Sequence, residues 1–140
     1  VRQTSLALKD IDYDIEISET HHKHKKDHPS GTAISLGKIA AEGRKIPFSK
    51  NKVLNRTSKS NKRKIGHIGF AVTRGGEIAG EHTVSFIGDN DRIDLFHKAT
   101  NRSIFVKGAI EAAVFLSKKK QGLYSMQDVL SIKHQSNKST

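Results

Sequence analysis

The chain has 140 residues, and its 25 Lys plus Arg outnumber 14 Asp plus Glu for a formal charge of +11. That length suits one domain with its own core but not two full ones. The lack of cysteine removes disulfides and thiolate metal sites, and no apolar run nears the roughly 20 residues that span a bilayer. With no secretory signal pattern either, the chain reads as a soluble, cytoplasmic protein with no membrane partner. Its positive field attracts anions of every kind, so composition alone leaves nucleic acid and small acidic substrates both open.

Residues 1–10 are too short to interpret beyond the tail of a helix or a linker, and Val1 in place of methionine points to processing or a fragment. Residues 13–19 alternate apolar and polar (Tyr13, Ile15, Ile17) and predict a half-buried strand. A basic stretch follows, His21-His22-Lys23-His24-Lys25-Lys26-Asp27-His28-Pro29-Ser30-Gly31-Thr32. After it a helical pattern runs to about Glu42, with Gly43 as the stop. Residues 44–64 are polar and basic, and the run at residues 55–64 within them reads as a mobile loop. Residues 68–73 predict a strand, Gly75-Gly76 a tight hairpin, residues 78–86 the returning strand, and residues 88–91 a second turn. A further strand covers residues 92–98. The meander and the first strand together predict an α+β fold, an open mixed or antiparallel sheet of about four strands with helices on one face.

Residues 104–118 form a helical pattern that is apolar almost all round, so it needs cover on more than one side. Ser125 and Asp128 have the spacing of a capping box for a short last helix, and the polar tail from residue 133 reads as disordered.

The chemistry concentrates between His21 and Thr32. Lysine supplies a fixed charge, and histidine titrates near neutrality. The opening turn of a helix leaves backbone N–H groups without partners, backed by the positive end of the macrodipole. Gly31 lets an anion approach that backbone closely. The combination describes a site that holds a carboxylate or phosphate beside a proton-bearing group. Read without further context, a His-Lys cluster is more often a solvated loop, and Ser30-Gly31-Thr32 a plain helix cap. The interleaved lysines argue against a metal on His21, His22 and His24. Gly75-Gly76 lacks the spacing of a phosphate loop, and Asp89 with Asp91 lacks that of a calcium loop. The run at residues 59–64 is the strongest cue for a basic nucleic-acid-binding module, the alternative function, although no aromatic residue accompanies it.

Glu19-x-His21-His22-x-x-Lys25-x-Asp27-x-Pro29-Ser30-Gly31-Thr32-Ala33 resembles the signature of the 4-hydroxy-tetrahydrodipicolinate reductase (dihydrodipicolinate reductase) family. Ile68-Gly69-Phe70-Ala71, Arg74-Gly75-Gly76-Glu77-Ile78-x-Gly80-Glu81-His82-Thr83-Val84, His97-Lys98-Ala99 with Arg102, and Gly122-Leu123-Tyr124-Ser125-Met126-Gln127-Asp128-Val129-Leu130 resemble its later blocks in order. The family's loop glycines are replaced by Ser and Asn between Arg56 and Arg63, which match its two loop arginines.

The resemblance implies reduction of a cyclic imine dicarboxylate to tetrahydrodipicolinate, in lysine and diaminopimelate biosynthesis. His21 would be the general acid/base, Lys25 its cationic partner, and His22, Gly31 and Thr32 the substrate-binding positions. Hydride would come from NADH or NADPH, bound mainly by an N-terminal nucleotide-binding domain that this chain lacks. Residues 1–102 would then form the substrate-binding and oligomerisation domain of a homotetramer. Residues 103–132 would pack toward the nucleotide-binding domain, and residues 133–140 would be a polar tail. By this reading nucleic acid is not a partner, and the chain alone is inactive.

Overall fold

Strand β1 (Asp14–His21) carries its alternation through to burial: Ile15, Ile17, Glu19 and His21 are buried, and the residues between them are not. The computed structural model describes residues 1–57 and 62–132. It divides into two units, Val1–Thr100 and Asn101–Thr140. Residues 58–61 and the tail from 133 lie outside the described residues, and with them part of the basic run at 59–64 and the tail expected to be disordered.

In the first unit β1 is the middle strand of five, in the order β2-β3-β1-β4-β5. β2 (Lys52–Val53) and β3 (Ile68–Arg74) lie to one side, with β3 parallel to β1. β4 (Gly80–Ile87) and β5 (Arg92–Ala99) lie to the other, antiparallel. The sheet is mixed, and the α+β class holds. The strands number five where about four were expected, the extra one being the short β2, which follows helix α3 (Phe48–Asn51) ahead of the basic run. One expectation is corrected: Gly75-Gly76 does not close a hairpin, since β1 lies between β3 and β4. The connection straddles the end of β1 instead. Gly75 N–H donates to the His21 carbonyl, and the amides of His22 and Lys23 donate to the carbonyls of Ile78 and Gly76. The turn at Gly88 is a true hairpin, with Gly88 N–H donating to the Asp91 carbonyl at 2.9 Å.

Helix α2 (Gly31–Gly43) carries the chain from β1 toward the parallel strand β3. Its buried face is made of small residues, Ala33, Gly37, Ala40 and Ala41. That permits close approach to the sheet: a Cβ on Gly37 would stand 2.6 Å from the Phe70 ring. Ile15, Ile17, Ile68, Val84 and Phe86 complete the core beneath it. Helix α1 (Arg2–Ala7) packs on the far end of α2 so tightly that a Cβ on Gly43 would stand 2.5 Å from the Arg2 carbonyl oxygen.

The second unit consists of α4 (Ser103–Leu116) and α5 (Met126–Val129). The expected capping box is present: Ser125 Oγ accepts from the Asp128 amide, and Asp128 accepts from the Ser125 amide. Ile104, Phe105, Val106, Ile110 and Val114 on α4 are all half exposed or more. Among the described residues no helix is long and apolar enough to cross a membrane.

Candidate functional site

Along β1 the buried face changes character, from Ile15 and Ile17 over the core to Glu19 and His21 at the strand's end. Neighbouring strands bring Arg74 opposite His21 and His82 opposite Glu19. The first turn of α2 closes the group from above.

Glu19, 2% exposed, is the hub. Its Oε1 accepts from the Ser30 amide at 2.8 Å and from the Arg74 guanidinium at 2.9 Å. Its Oε2 lies 2.7 Å from His21 Nδ1 and 3.8 Å from His82 Nε2. Burial alone would push the Glu19 carboxyl up. The hydrogen bonds from Ser30 and Arg74, with the Arg74 charge, outweigh it and hold the group below the usual carboxylate range. Burial lowers His21, the charges of Lys25 and Arg74 lower it further, and Glu19 opposes them without prevailing. Burial also lowers His82, and the adjoining His21 adds to the effect. The two rings meet edge to face at 4.9 Å, and in both the surroundings favour the neutral form.

Ser30 ties this cluster to the helix. Its hydroxyl oxygen accepts from the Ala33 amide, as an N-cap should, and lies 3.1 Å from His82 Nε2. Lys25 pairs with Asp27 at 2.8 Å. The Lys25 hydrogen bond, with a further one from the Gly31 amide, holds the Asp27 carboxyl below its usual value. Lys25, Asp27 and the Gly31 amide therefore form one connected group.

His21 and Lys25 thus share a field at the end of β1, and Lys25 is linked through Asp27 to Gly31. Thr32 stands exposed beside Gly31 in the first turn of α2, and the half-buried His22 has its ring 6.2 Å from that of His24. The sequence reading gave no role to Glu19, Arg74 or His82, and to Ser30 only that of a helix cap, although all four lie in the motif blocks. Glu19 was accessible by rule, because residues two apart share a strand face. Arg74 and His82 depend on the strand order, which no local pattern reveals.

The ligand atoms of Glu19, His21 and His82 lie within 4.8 Å of one another, among the described residues a grouping that could hold a metal ion. The surrounding charge opposes it. A cation there would stand beside Arg74, bound to the same carboxylate, and within the field of Lys25. The donors present suit an anion.

Two arginines of the run at residues 55–64 are engaged elsewhere. Arg56 and Arg63 both bond to Glu16, and Arg63 also pairs with Asp14 at 2.6 Å and donates to the carbonyls of Ile15 and His67. These arginines are neutralised against the sheet.

A family model described as "Dihydrodipicolinate reductase, C-terminus" matches residues 1–130. The chain is 51% identical over 132 residues to 4-hydroxy-tetrahydrodipicolinate reductase 1 of Mesorhizobium japonicum, covering 94% of this chain and 48% of that protein. It is also 51% identical over 133 residues to the 4-hydroxy-tetrahydrodipicolinate reductase of Caulobacter vibrioides, covering 95% and 52%. The chain spans about half the length of the curated relatives it matches. The dipicolinate-bound dihydrodipicolinate reductase from Paenisporosarcina sp. TG-14 shares the fold, with a TM-score of 0.64 at 23% identity over 91% of this chain and 48% of that one.

Proposed function

This chain belongs to the dihydrodipicolinate reductase family, in the region of that family's C-terminus, and from that premise we propose that it binds the dicarboxylate substrate and handles the proton in 4-hydroxy-tetrahydrodipicolinate reduction. The observation that carries this reading is the cluster at the end of β1. A neutral, buried imidazole stands in the field of Lys25, and Lys25 is linked to the opening amides of α2.

Each residue has a physical role in this reading. Lys25 and the amides of Gly31 and Thr32 neutralise one carboxylate and fix its position, with His22 at the rim. In the free protein Asp27 occupies part of that role, so the substrate carboxylate takes over its partners. The arriving negative charge also acts on His21. Burial, Lys25 and Arg74 favour the neutral ring, and a dicarboxylate offsets those cations and raises its pKa. His21 therefore gains its proton as substrate binds and is then able to deliver it. A nicotinamide nucleotide, NADH or NADPH, supplies the hydride from a part of the protein outside this chain, in keeping with relatives about twice as long.

The same reading gives residues 1–102 the substrate-binding and oligomer-forming role, with the sheet face opposite α2 as the contact in a homotetramer. Ser18, Ala71, Thr73 and Phe96 are exposed there. Residues 103–132 pack against the nucleotide-binding part, and the protein works in the cytoplasm.

Titration calorimetry with 2,6-pyridinedicarboxylate tests the reading. Weak binding is expected, with uptake of a proton near pH 7 read from buffers of different ionisation heat, and Lys25→Met should weaken it at least tenfold. The chain alone should not oxidise NADH. Absence of binding, or binding untouched by Lys25→Met, would overturn the assignment. DNA that binds more tightly than the dicarboxylate, with the steep salt dependence of phosphate contacts, would favour the nucleic-acid alternative.

A further inference from the structure

The proton chemistry above leaves the buried carboxylate beneath His21 unused. Glu19 Oε1 is occupied by the Ser30 amide and Arg74. Oε2 faces His21 Nδ1 at 2.7 Å, close but not aligned as a hydrogen bond, and among the described residues neither atom has an aligned partner. A bare Nδ1 at that distance would set its lone pair against the carboxylate's. The close contact therefore demands a proton on Nδ1.

The other side of the ring has its own constraint. A Cβ on Gly80 would stand 3.0 Å from His21 Nε2 and 3.3 Å from Cδ2. Only a residue without a side chain leaves that nitrogen uncovered. His82 packs edge to face against the ring at 4.9 Å and is itself tied to Ser30 Oγ, so the imidazole is fenced against rotation.

We propose that Glu19 is a positioning residue that locks His21 in its Nδ1–H tautomer and presents Nε2, across the bare backbone of Gly80, as the nitrogen that exchanges a proton with the bound ligand. The inference rests on His21 as the proton carrier. Glu19 acts through His21 and does not touch substrate.

The competing structural role is a carboxylate that merely anchors Arg74 and the start of α2. Glu19→Gln separates the two. Its amide oxygen still accepts from Ser30 and Arg74, but its NH2 now faces Nδ1, which must become the acceptor. Two-bond 1H–15N spectra of the histidines in this chain give the readout. In the wild type, above its pKa, His21 should show Nδ1–H. In Glu19→Gln the proton should move to Nε2. The His21 pKa should also fall, because the negative charge is lost while Lys25 and Arg74 remain.

Gly80→Ala tests the other side. His21 should keep its tautomer, but 2,6-pyridinedicarboxylate should no longer shift its Nε2 signal. An Nε2–H wild type, or a Glu19→Gln protein with unchanged tautomer and pKa, would overturn the proposal. The wild-type spectrum alone decides the tautomer if Glu19→Gln does not fold. If the tautomer switches as expected while the dicarboxylate leaves wild-type His21 undisturbed, the lock stands and the substrate assignment falls.

Discussion

A buried and a half-buried imidazole, both favoured in the neutral form beside a carboxylate held ionised, make the site a source of pH dependence. His21 and His82 both titrate below the ordinary histidine value of about 6.5. In acid the unfolded chain therefore takes up protons before the folded one does, which favours unfolding. The stability these groups provide is fully present above about pH 6.5 and is lost as pH falls toward their folded values. Glu19 has the same sign, and its loss begins only below the ordinary carboxylate range. The first decline thus belongs to the histidines, with a ceiling of about 1.4 kcal/mol per pH unit for each. The melting temperature should drop by several degrees between pH 7.5 and 5.5, and His82→Gln should make the curve shallower. A wild-type melt that is flat over that interval would show that neither ring titrates below its unfolded value.

At the scale of elements, α2 decides how well the site is aimed, because its first turn supplies Ser30 and Gly31 and its other end carries α1. Two glycines set its seating. A Cβ on Gly37 meets the outer atoms of the Phe70 and Phe48 rings, at 2.6 and 2.8 Å, which can swing aside. A Cβ on Gly43 meets the Arg2 carbonyl at 2.5 Å and Ser5 Cβ at 2.6 Å, which cannot move unless α1 does. Alanine gains about 1 kcal/mol in helix propensity over glycine, and overpacking costs about 1–3 kcal/mol. Gly37→Ala should therefore lie near neutral, and Gly43→Ala should lose about 1–2 kcal/mol in denaturant unfolding. Equal losses would mean that α1 yields as freely as a ring. The same elements show what a sequence reveals. Alternation gave β1, and cap residues gave α2 and α5, since those signals are local. Gly75-Gly76 marked a reversal correctly, but a turn does not say which strand its arms flank. The insertion of β1 between β3 and β4 is a non-local choice, and with it went Arg74 and His82. Lys25 and Gly31 were legible because they lie on one short stretch; alternation put Glu19 on the face of His21, but its place as the hub needed the partners that α2, β3 and β4 bring to it.

At the scale of the whole molecule, α4 presents apolar side chains that call for cover. Hydrophobic burial contributes about 25 cal/mol per Å², so leaving five large apolar side chains half exposed on one short helix forgoes a substantial stabilisation. Our reading gives that surface to the nucleotide-binding part of the protein, and the helix offers a clean way to ask. Val106 and Ile110 are four residues apart, 59% and 60% exposed. Replacing them with Glu and Lys, in that order, removes apolar surface and installs a favourable i,i+4 pair worth about 0.2–0.5 kcal/mol. In this chain alone the double variant should bind less of a hydrophobic dye and self-associate less, while the melt of the first unit and dicarboxylate binding stay as they are. Introduced into the full-length protein, the same pair should lower kcat or raise the KM for the nucleotide, because two charges would be buried where apolar contacts belong. A variant that improves the isolated chain and leaves the full-length protein unimpaired would place α4 in solvent in both, and the packing assigned to residues 103–132 would have to be abandoned.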